Sequence, residues 1–308
     1  MGFSRIVIIA NKRFEADPLM SVLVNPESHP PAITDLGTIA WPRPPQTSTS
    51  DIDWRPRSAF VCGQDGTMLV EVWCIQDLMN PYLSFSNTAE KARVLPLIMS
   101  RGKSPDFVLA IGTAGFPDAQ ISKNGCVVVG SRVFVHNPYT DKPNPSSNWN
   151  DPTRMDSVVE SSDGSRFVKA LRADSTFRGS VEMRMIPIRR QPVESLDLLV
   201  DGQFTAVSEV NVVDYHDYGK FDEGSILLAR KAGGDPIGSV ETTHGLIRMM
   251  SDAPFVFISG ITDRLGHFND DVTIPADTAY TQNFSAAHNA GLAAVWMIPA
   301  LQTFLSEA

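Results

Sequence analysis

Short runs of apolar residues, many of them β-branched, recur along the chain and predict strands. They occupy residues 6–10, 107–111, 126–129, 196–200 and 255–258. A mostly apolar run of this length is typical of a strand that is buried on both faces of a sheet. We therefore predict that these five segments are strands of one sheet and are buried on both faces.

Segments with a helical spacing of apolar residues lie between these runs. Residues 87–100 begin with Asn87, a residue type that favours helix N-termini. Residues 239–251 and 286–305 show a similar spacing, and Pro299 is expected to kink the second of them. Strands that alternate with helices indicate an α/β fold, with a mixed central sheet between two helical layers in a three-layer α/β/α arrangement.

Two polar, proline-rich segments interrupt this alternation. Residues 25–57 hold seven of the 22 prolines, and residues 136–165 hold four. The length of 308 residues alone favours two domains. Because similar apolar strands lie on both sides of each segment, we predict instead one domain, residues 1–308, with two insertions at about 25–57 and 136–165.

Composition and charge argue against several classes of protein. Hydrophobic residues make up 43% of the chain and charged residues 20%, as in ordinary soluble proteins. With 26 Lys plus Arg against 35 Asp plus Glu, the net charge of −9 argues against a nucleic-acid or anionic-membrane partner. No apolar stretch approaches the ~18 residues of a membrane span, and the first residues lack the features of a signal peptide. Three scattered cysteines fit a reducing compartment, so we expect a cytoplasmic protein.

The clearest candidate for ligand binding follows the predicted strand at residues 107–111. Gly112, Thr113, Ala114 and Gly115 come directly after the apolar run. Glycines allow backbone N–H groups to approach a ligand closely, and the Thr113 hydroxyl adds a polar contact. Together with residues 125–131, this pattern resembles the strand–Gly-Ser/Thr-Ala-Gly-Gly–strand motif of the nucleoside phosphorylase and nucleosidase superfamily.

Four further segments resemble motifs of this superfamily and occur in the same order. Residues 6–19, which include Glu15, are similar to the first strand and acidic turn of the methylthioadenosine/S-adenosylhomocysteine nucleosidases. Residues 201–204 resemble a Ser-Gly-Asp-Gln-Phe loop, and residues 240–243 lie where the family has Val-Glu-Met-Glu. Residues 254–263 resemble the segment Pro-Phe-Val-x-x-Arg-x-Ile-Ser-Asp. The resemblance covers nearly the whole chain outside the proline-rich segments.

The resemblance implies a role for each matching residue. Asp263 corresponds to the general acid that protonates the leaving base, and Glu15 to the carboxylate that positions the attacking water. Phe204 corresponds to the aromatic residue that stacks on the base, with Gln203 beside it, and residues 113–115 form the wall against base or sugar. The implied ligand is a small-molecule nucleoside, no cofactor is needed, and a homo-oligomer, a dimer or hexamer, is implied.

The residues themselves leave simpler interpretations open. Cleavage of an N-glycosidic bond needs an acid at the base and a nucleophile at the anomeric carbon, and Asp263 and Glu15 are suitable carboxyl groups for these tasks. Asp263 is also suited to cap the turn that follows it, and Glu15 to be a solvated carboxylate. Phe204 fits a core position at a strand end as well as it fits a stacking platform.

Thr242 and Thr243 are the clearest departure from the family. A methionine and a glutamate hold the sugar in the family, whereas Thr243 offers one hydroxyl in place of a carboxylate. Glu241 matches the first glutamate of the family motif and is a candidate for the substrate site. In the family it is the second glutamate that binds ribose. Three consequences stay open: the sugar is bound differently, for example by His244; the substrate is not an ordinary riboside; or the activity has been lost.

The segment after the first predicted strand favours hydrolysis over phosphorolysis. Phosphorylases of this superfamily hold phosphate with a Gly-Asp-Pro-x-Arg turn and with an arginine before the glycine turn. This chain has Ala-Asn-Lys-Arg-Phe at residues 10–14 and Ala110 at the second place, which leaves Lys12 or Arg13 as substitutes. We predict a nucleosidase; the alternatives are a phosphorylase that uses phosphate as co-substrate, and an inactive nucleoside- or nucleotide-binding protein.

The histidines do not indicate a metal site. None has a partner at the i, i+4 spacing of helical metal ligands, so no metal is expected. His136 and His267 are candidates for the rim of the pocket, and His216 lies in a polar aromatic cluster at residues 214–218. The absence of a Gly-x-Ser-x-Gly motif argues against a serine hydrolase.

Overall fold

The computed structural model of the protein describes residues 4–31, 33, 55–62, 67–84, 86–139, 154–188, 193–212, 219–272 and 276–307. In the last of these ranges the side chains are described from residue 282 onward. Most of the two proline-rich segments, residues 34–54 and 140–153, lies outside the described residues, and so does His216.

Eleven strands and nine helices are assigned within these ranges. The strands are β1 (Ser4–Ala10), β2 (Ser58–Cys62), β3 (Met68–Cys74), β4 (Phe107–Phe116), β5 (Val127–Gly130), β6 (Arg132–His136), β7 (Val158–Glu160), β8 (Leu198–Val200), β9 (Thr205–Glu209), β10 (Ile237–Glu241) and β11 (Phe255–Arg264). The helices are α1 (Arg13–Val24), α2 (Ile75–Leu78), α3 (Thr88–Met99), α4 (Ser162–Ala173), α5 (Ser175–Glu182), α6 (Asp222–Lys231), α7 (His244–Met249), α8 (Phe268–Asp271) and α9 (Ala276–Ser306). None of these described helices is long and apolar enough to cross a membrane.

All eleven strands belong to one mixed sheet, which is centred on β4. β4 runs parallel to β1 on one side and to β11 on the other. β9 and β10 form a second parallel pair, and β10 joins β4 in the antiparallel direction where Val240 faces Gly115. Helices pack on both sides of the sheet. The predicted α/β fold with a mixed central sheet is confirmed.

The first strand shows why its run of apolar residues is uninterrupted. Ile6 and Ile8 pack into a cluster that includes residues of α1 and α9, whereas Val7 and Ile9 pack into a second cluster with residues of α3 and α7. Successive side chains of a strand point to opposite faces, so a strand between two helical layers needs apolar residues at every position.

Two of the predicted helices have different boundaries in the structure. The segment 239–251 is divided, because its first residues complete β10 and α7 begins only at His244. Val240 is buried between neighbouring strands, and so short an apolar run does not distinguish a strand from a helix. The last helix begins earlier than predicted, at Ala276, and its assignment continues through Pro299 to Ser306.

Candidate active site

A cavity of about 280 Å³ opens at one edge of the sheet, where several strands end. Its walls come from the segment after β1, from β4 and β11, and from the carboxyl ends of β9 and β10. The parallel strands β1, β4 and β11 bring their carboxyl ends to the same edge of the sheet. The antiparallel β10 meets β4 near the carboxyl ends of both strands, where Val240 faces Gly115.

Most of the predicted site residues line this cavity. Glu15 reaches it from α1, residues 113–115 from β4, and Asp263 from β11. Glu241, at the end of β10, lines it together with Thr242 and Thr243, which follow that strand. The structure therefore brings together the residues of four of the five motifs that the sequence analysis identified.

Gln203 and Phe204, the residues of the remaining motif, do not line the cavity. They precede β9, and it is the opposite end of that strand, at Glu209, that reaches the cavity. Five residues of strand span roughly 16 Å. Phe204 packs against the core on the α3 and α7 side of the sheet, and its carbonyl accepts a hydrogen bond from the Arg132 N–H. Phe204 is thus partly buried against the core, which agrees with the alternative interpretation of the sequence.

Glu15 is fixed as a hydrogen-bond acceptor inside the cavity. It is the third residue of α1, it is 2% exposed, and its Oε2 accepts the Lys12 N–H at 2.8 Å. Its Oε1 accepts the Thr113 N–H and the Thr113 hydroxyl, both at 2.9 Å. A carboxylate has about four lone-pair sites, so roughly one remains for a further donor such as water. Glu15 is therefore not the solvated turn carboxylate of the alternative interpretation.

A bulge in β11 directs Asp263 into the cavity. The pairing of β11 with β4 shifts between Ile261 and Asp263, opposite Ala114 and Gly115. Bulges re-aim side chains and are frequent beside active sites. The Thr262 hydroxyl donates to Asp263 Oδ1 at 2.6 Å, and burial raises the pKa of Asp263 to about 7. Asp263 therefore keeps a proton to donate over a wide range below neutral pH.

Gly112 and Gly115 leave room for these two carboxyl groups. A Cβ atom at Gly112 would lie 3.3 Å from Glu15 Oε1 and 3.1 Å from His244 Nε2, and one at Gly115 would lie 3.2 Å from Asp263 Oδ2. A side chain at either position would displace the group that faces it. The sequence predicts that the glycines leave backbone N–H groups open to a ligand, but the N–H of Thr113, which lies between them, donates to Glu15.

Glu241 stabilises the start of α7. Its Oε2 accepts the backbone N–H groups of Thr243 and of His244, the latter at 2.7 Å, and its Oε1 accepts the Ser208 hydroxyl. The first N–H groups of a helix have no partner within the helix, and this carboxylate supplies one. Although Glu241 lines the cavity, most of its acceptor capacity is already used by the protein.

Two buried acids outside the sequence motifs also line the cavity. Glu209 ends β9 and Asp222 begins α6, and the two residues are 3% and 9% exposed. Burial raises the pKa of each, and the negative charge of Asp222 raises the pKa of Glu209 and of Asp263 further. The three acids therefore form one coupled group, which we call the acid cluster, at this end of the cavity.

The acid cluster is expected to make the protein less stable as the pH rises from 5 to 7. Because the pKa values of Asp263, Glu209 and Asp222 are raised in the folded state, that state binds more protons than the unfolded chain in this range. The free energy of unfolding then falls as the pH rises. His288 and Lys91, whose pKa values are lowered by burial, act in the opposite direction, Lys91 only near pH 7, but they are two groups against three. Thermal unfolding at pH 5, 6 and 7 measures the trend.

The matched control for this prediction is the double variant Glu209→Gln, Asp222→Asn. It removes two of the three acids, so its unfolding temperature should depend less on pH than that of the wild type. A wild-type unfolding temperature that is constant or rises from pH 5 to pH 7 would contradict the prediction.

One histidine lines the cavity, and it is not one of the two that were predicted for its rim. His244 lines the cavity and is 2% exposed. His136 and His267, the predicted rim residues, are not among the residues that line it and face Asp156 and Asp270, at 2.7 Å and 3.0 Å respectively. Among the residues that the structure describes, no group of three or more His, Cys, Asp or Glu is arranged to hold a metal ion.

Solved structures of two enzymes share this arrangement of strands and helices. The 5′-methylthioadenosine/S-adenosylhomocysteine nucleosidase of Colwellia psychrerythraea, solved in complex with adenine, superposes with a TM-score of 0.52 over 98% of both chains, at 16% identity. The 5′-methylthioadenosine nucleosidase of Arabidopsis thaliana gives a TM-score of 0.53 over 99% of this chain and 97% of that one, at 14% identity. This chain has the nucleosidase fold.

A third solved structure with this fold is that of a futalosine hydrolase. Futalosine hydrolase of Helicobacter pylori superposes with a TM-score of 0.52 and 12% identity, over 99% of this chain and 98% of that one. No family model matches the sequence, and neither does any curated protein sequence. The substrate must therefore be inferred from the residues of the cavity.

Ser259 and Thr243 stand where the nucleosidase motifs have charged residues. Ser259 stands where the motif has an arginine, and its hydroxyl lies 3.4 Å from His244 Nδ1 and 3.0 Å from Ser239 Oγ. Thr243 stands where the family has a glutamate, and its hydroxyl accepts a hydrogen bond from Lys91 Nζ at 2.9 Å. This side of the cavity therefore carries hydroxyl groups with a buried ammonium group behind them.

Proposed function

We propose that the protein hydrolyses the N-glycosidic bond of a purine-nucleoside-like compound. The observation that carries the proposal is that two carboxyl groups with different surroundings line one cavity. Asp263, with a pKa of about 7, is a proton donor, and Glu15 is an acceptor held by three hydrogen bonds. Acid-assisted displacement at an anomeric carbon uses two such groups. The shared fold supports the same assignment.

Each carboxyl group then has a defined task. Because Asp263 Oδ1 accepts the Thr262 hydroxyl, the proton of Asp263 resides on Oδ2 and is donated to a ring nitrogen of the base. The electron pair of the breaking C–N bond moves into the base as it leaves. The remaining lone pair of Glu15 orients a water molecule and accepts one of its protons as the water oxygen forms the new bond to the anomeric carbon. Glu15 then releases this proton to solvent, and Asp263 regains a proton from solvent. The products are the free base and the free sugar.

The residues after β1 favour water over phosphate as the nucleophile. Arg13 Nε donates to Asp77 Oδ1 at 2.7 Å, so its guanidinium is engaged outside the cavity, whereas Lys12 lines the cavity. A phosphate dianion is usually held by the paired N–H groups of arginine side chains. We therefore retain hydrolysis as the proposal, with phosphorolysis as the alternative that Lys12 favours.

A panel of nucleosides tests the proposal directly. The purified protein is incubated with adenosine, inosine, guanosine, methylthioadenosine and uridine, with and without inorganic phosphate, and products are separated by chromatography. The expected result is free base and reducing sugar without phosphate. Base release that requires phosphate and yields a sugar 1-phosphate would identify a phosphorylase. Calorimetric binding of nucleosides with no base release under any condition would identify a binding protein.

A further inference from the structure

Lys91 is a fully buried lysine directly behind the wall of the cavity. It lies in α3 and is 0% exposed. Its Nζ donates to the hydroxyl of Thr243 at 2.9 Å and approaches that of Thr242 at 3.5 Å. Both threonines line the cavity. The buried ammonium group is therefore separated from the cavity by two hydroxyl groups.

Within the described part of the chain, no carboxylate forms an ion pair with Lys91. Glu15 and Glu241 are held by other donors, and their negative charges attract Lys91 only at longer range. The positive charge of Lys12 repels that of Lys91. Burial lowers the pKa of Lys91 to about 7. A buried cation without a paired anion is costly, and proteins usually pair or neutralise such a group.

When Lys91 is protonated, the hydrogen bonds of this trio leave a hydroxyl hydrogen that can be donated into the cavity. An ammonium group only donates, so Thr242 and Thr243 act as acceptors toward Lys91 and each keeps one hydroxyl hydrogen to donate. Their oxygens lie 3.4 Å apart, so at most one of the two hydrogens can be used between them. At least one hydroxyl hydrogen is therefore available to a ligand acceptor at this wall.

We propose that the wall formed by Thr242 and Thr243 binds an anionic oxygen carried by the sugar of the substrate, as a phosphate ester or a carboxylate. A neutral sugar hydroxyl would accept the available hydrogen but leave the charge of Lys91 unpaired, whereas an oxyanion satisfies both. The proposal rests on the proposed function, and it explains why a threonine is better placed here than a glutamate, which would repel such a ligand.

The test compares a nucleoside with its anionic derivatives. Adenosine, adenosine 3′-monophosphate, adenosine 5′-monophosphate and adenosine 5′-carboxylate are assayed at pH 6, both for base release and for calorimetric binding. Since a charge-assisted hydrogen bond contributes about 1.5–3 kcal/mol, at least one anionic ligand should be preferred about 10- to 100-fold over adenosine. The preference should weaken at pH 8.5, where Lys91 loses its proton. A wild-type preference for adenosine over all three derivatives would overturn the proposal.

Variants separate the role of Lys91 from a general loss of charge. Lys91→Met should lose the preference, whereas Lys169→Met, which changes an exposed lysine of α4, should keep it. Thr243→Glu places a carboxylate beside Lys91 and should reverse the preference toward adenosine. This variant still tests the proposal if Lys91→Met does not fold. Retention of the preference in both Lys91→Met and Thr243→Glu would overturn the proposal.

The binding measurements distinguish this proposal from the proposed function. Absence of base release from every compound contradicts the hydrolase but leaves the binding preference measurable. Base release without any preference for anionic derivatives supports the hydrolase and contradicts the anion-binding wall.

Discussion

The variant Asp263→Asn is expected to release base about 10²- to 10⁴-fold more slowly than the wild type, because the amide has no acidic proton to give to the leaving base. Its stability should not suffer in the same way. The new amide group keeps an oxygen that can accept the Thr262 hydroxyl, and the substitution removes a buried acid whose pKa is about 7. Base release by chromatography and thermal unfolding at pH 8 measure the two effects separately.

The pH profile offers a second readout for the same residue. The general acid must be protonated, so kcat/KM for the wild type should fall as the pH rises above about 7. This limb should be absent from the residual activity of Asp263→Asn. The exposed Asp252→Asn serves as the matched control, because its side chain is 90% exposed, and it should behave like the wild type. An Asp263→Asn variant that keeps most of the activity would contradict the assignment of the acid.

The variant Glu15→Gln should lower kcat about 10²- to 10³-fold while the enzyme still binds free base. A glutamine cannot accept at both ends, so its NH₂ group would face either the Lys12 N–H or the two donors of Thr113. One or more of these donors then loses its partner, which costs about 1–3 kcal/mol of stability. The oxygen that orients water is lost or displaced as well.

Activity and stability must be measured together to interpret this variant. Base release at a temperature well below its unfolding transition, with calorimetric binding of adenine, separates lost catalysis from lost folding. The matched control is Glu27→Gln, an exposed residue just after α1. If the folded Glu15→Gln protein releases base at the wild-type rate, Glu15 stabilises only the start of α1 and does not orient the nucleophile.

The sequence predicts those site residues that lie close to the end of a recognisable strand. Asp263 and Thr113 lie in the last few residues of two long strands that begin with apolar runs, so local patterns locate them at the edge where a parallel sheet binds ligands. Glu15 is found through its motif, although its position in the first turn of a helix becomes evident only in the structure. These cues are all local in the chain.

The acid cluster and Lys91 have no such local cue. Lys91 meets Thr242 and Thr243 across 151 and 152 positions of sequence, and its burial depends on the packing of α3 against α7. Glu209 is one acidic residue at the end of a strand, and its raised pKa arises from its own burial and then from the charge of Asp222 beside it. Phe204 illustrates the converse, since a matching loop sequence lies at the wrong end of its strand.

The two glycines of β4 also influence how far apart the carboxyl groups of Glu15 and Asp263 lie. One faces Glu15 and the other faces Asp263, and they are three residues apart on the same strand. Three residues of strand span roughly 10 Å. The separation of Glu15 and Asp263 thus depends largely on covalently linked backbone in the central strand of the sheet, where loop movements have little influence on it. Under the proposed mechanism, a substrate must place its anomeric carbon between these two carboxyl groups.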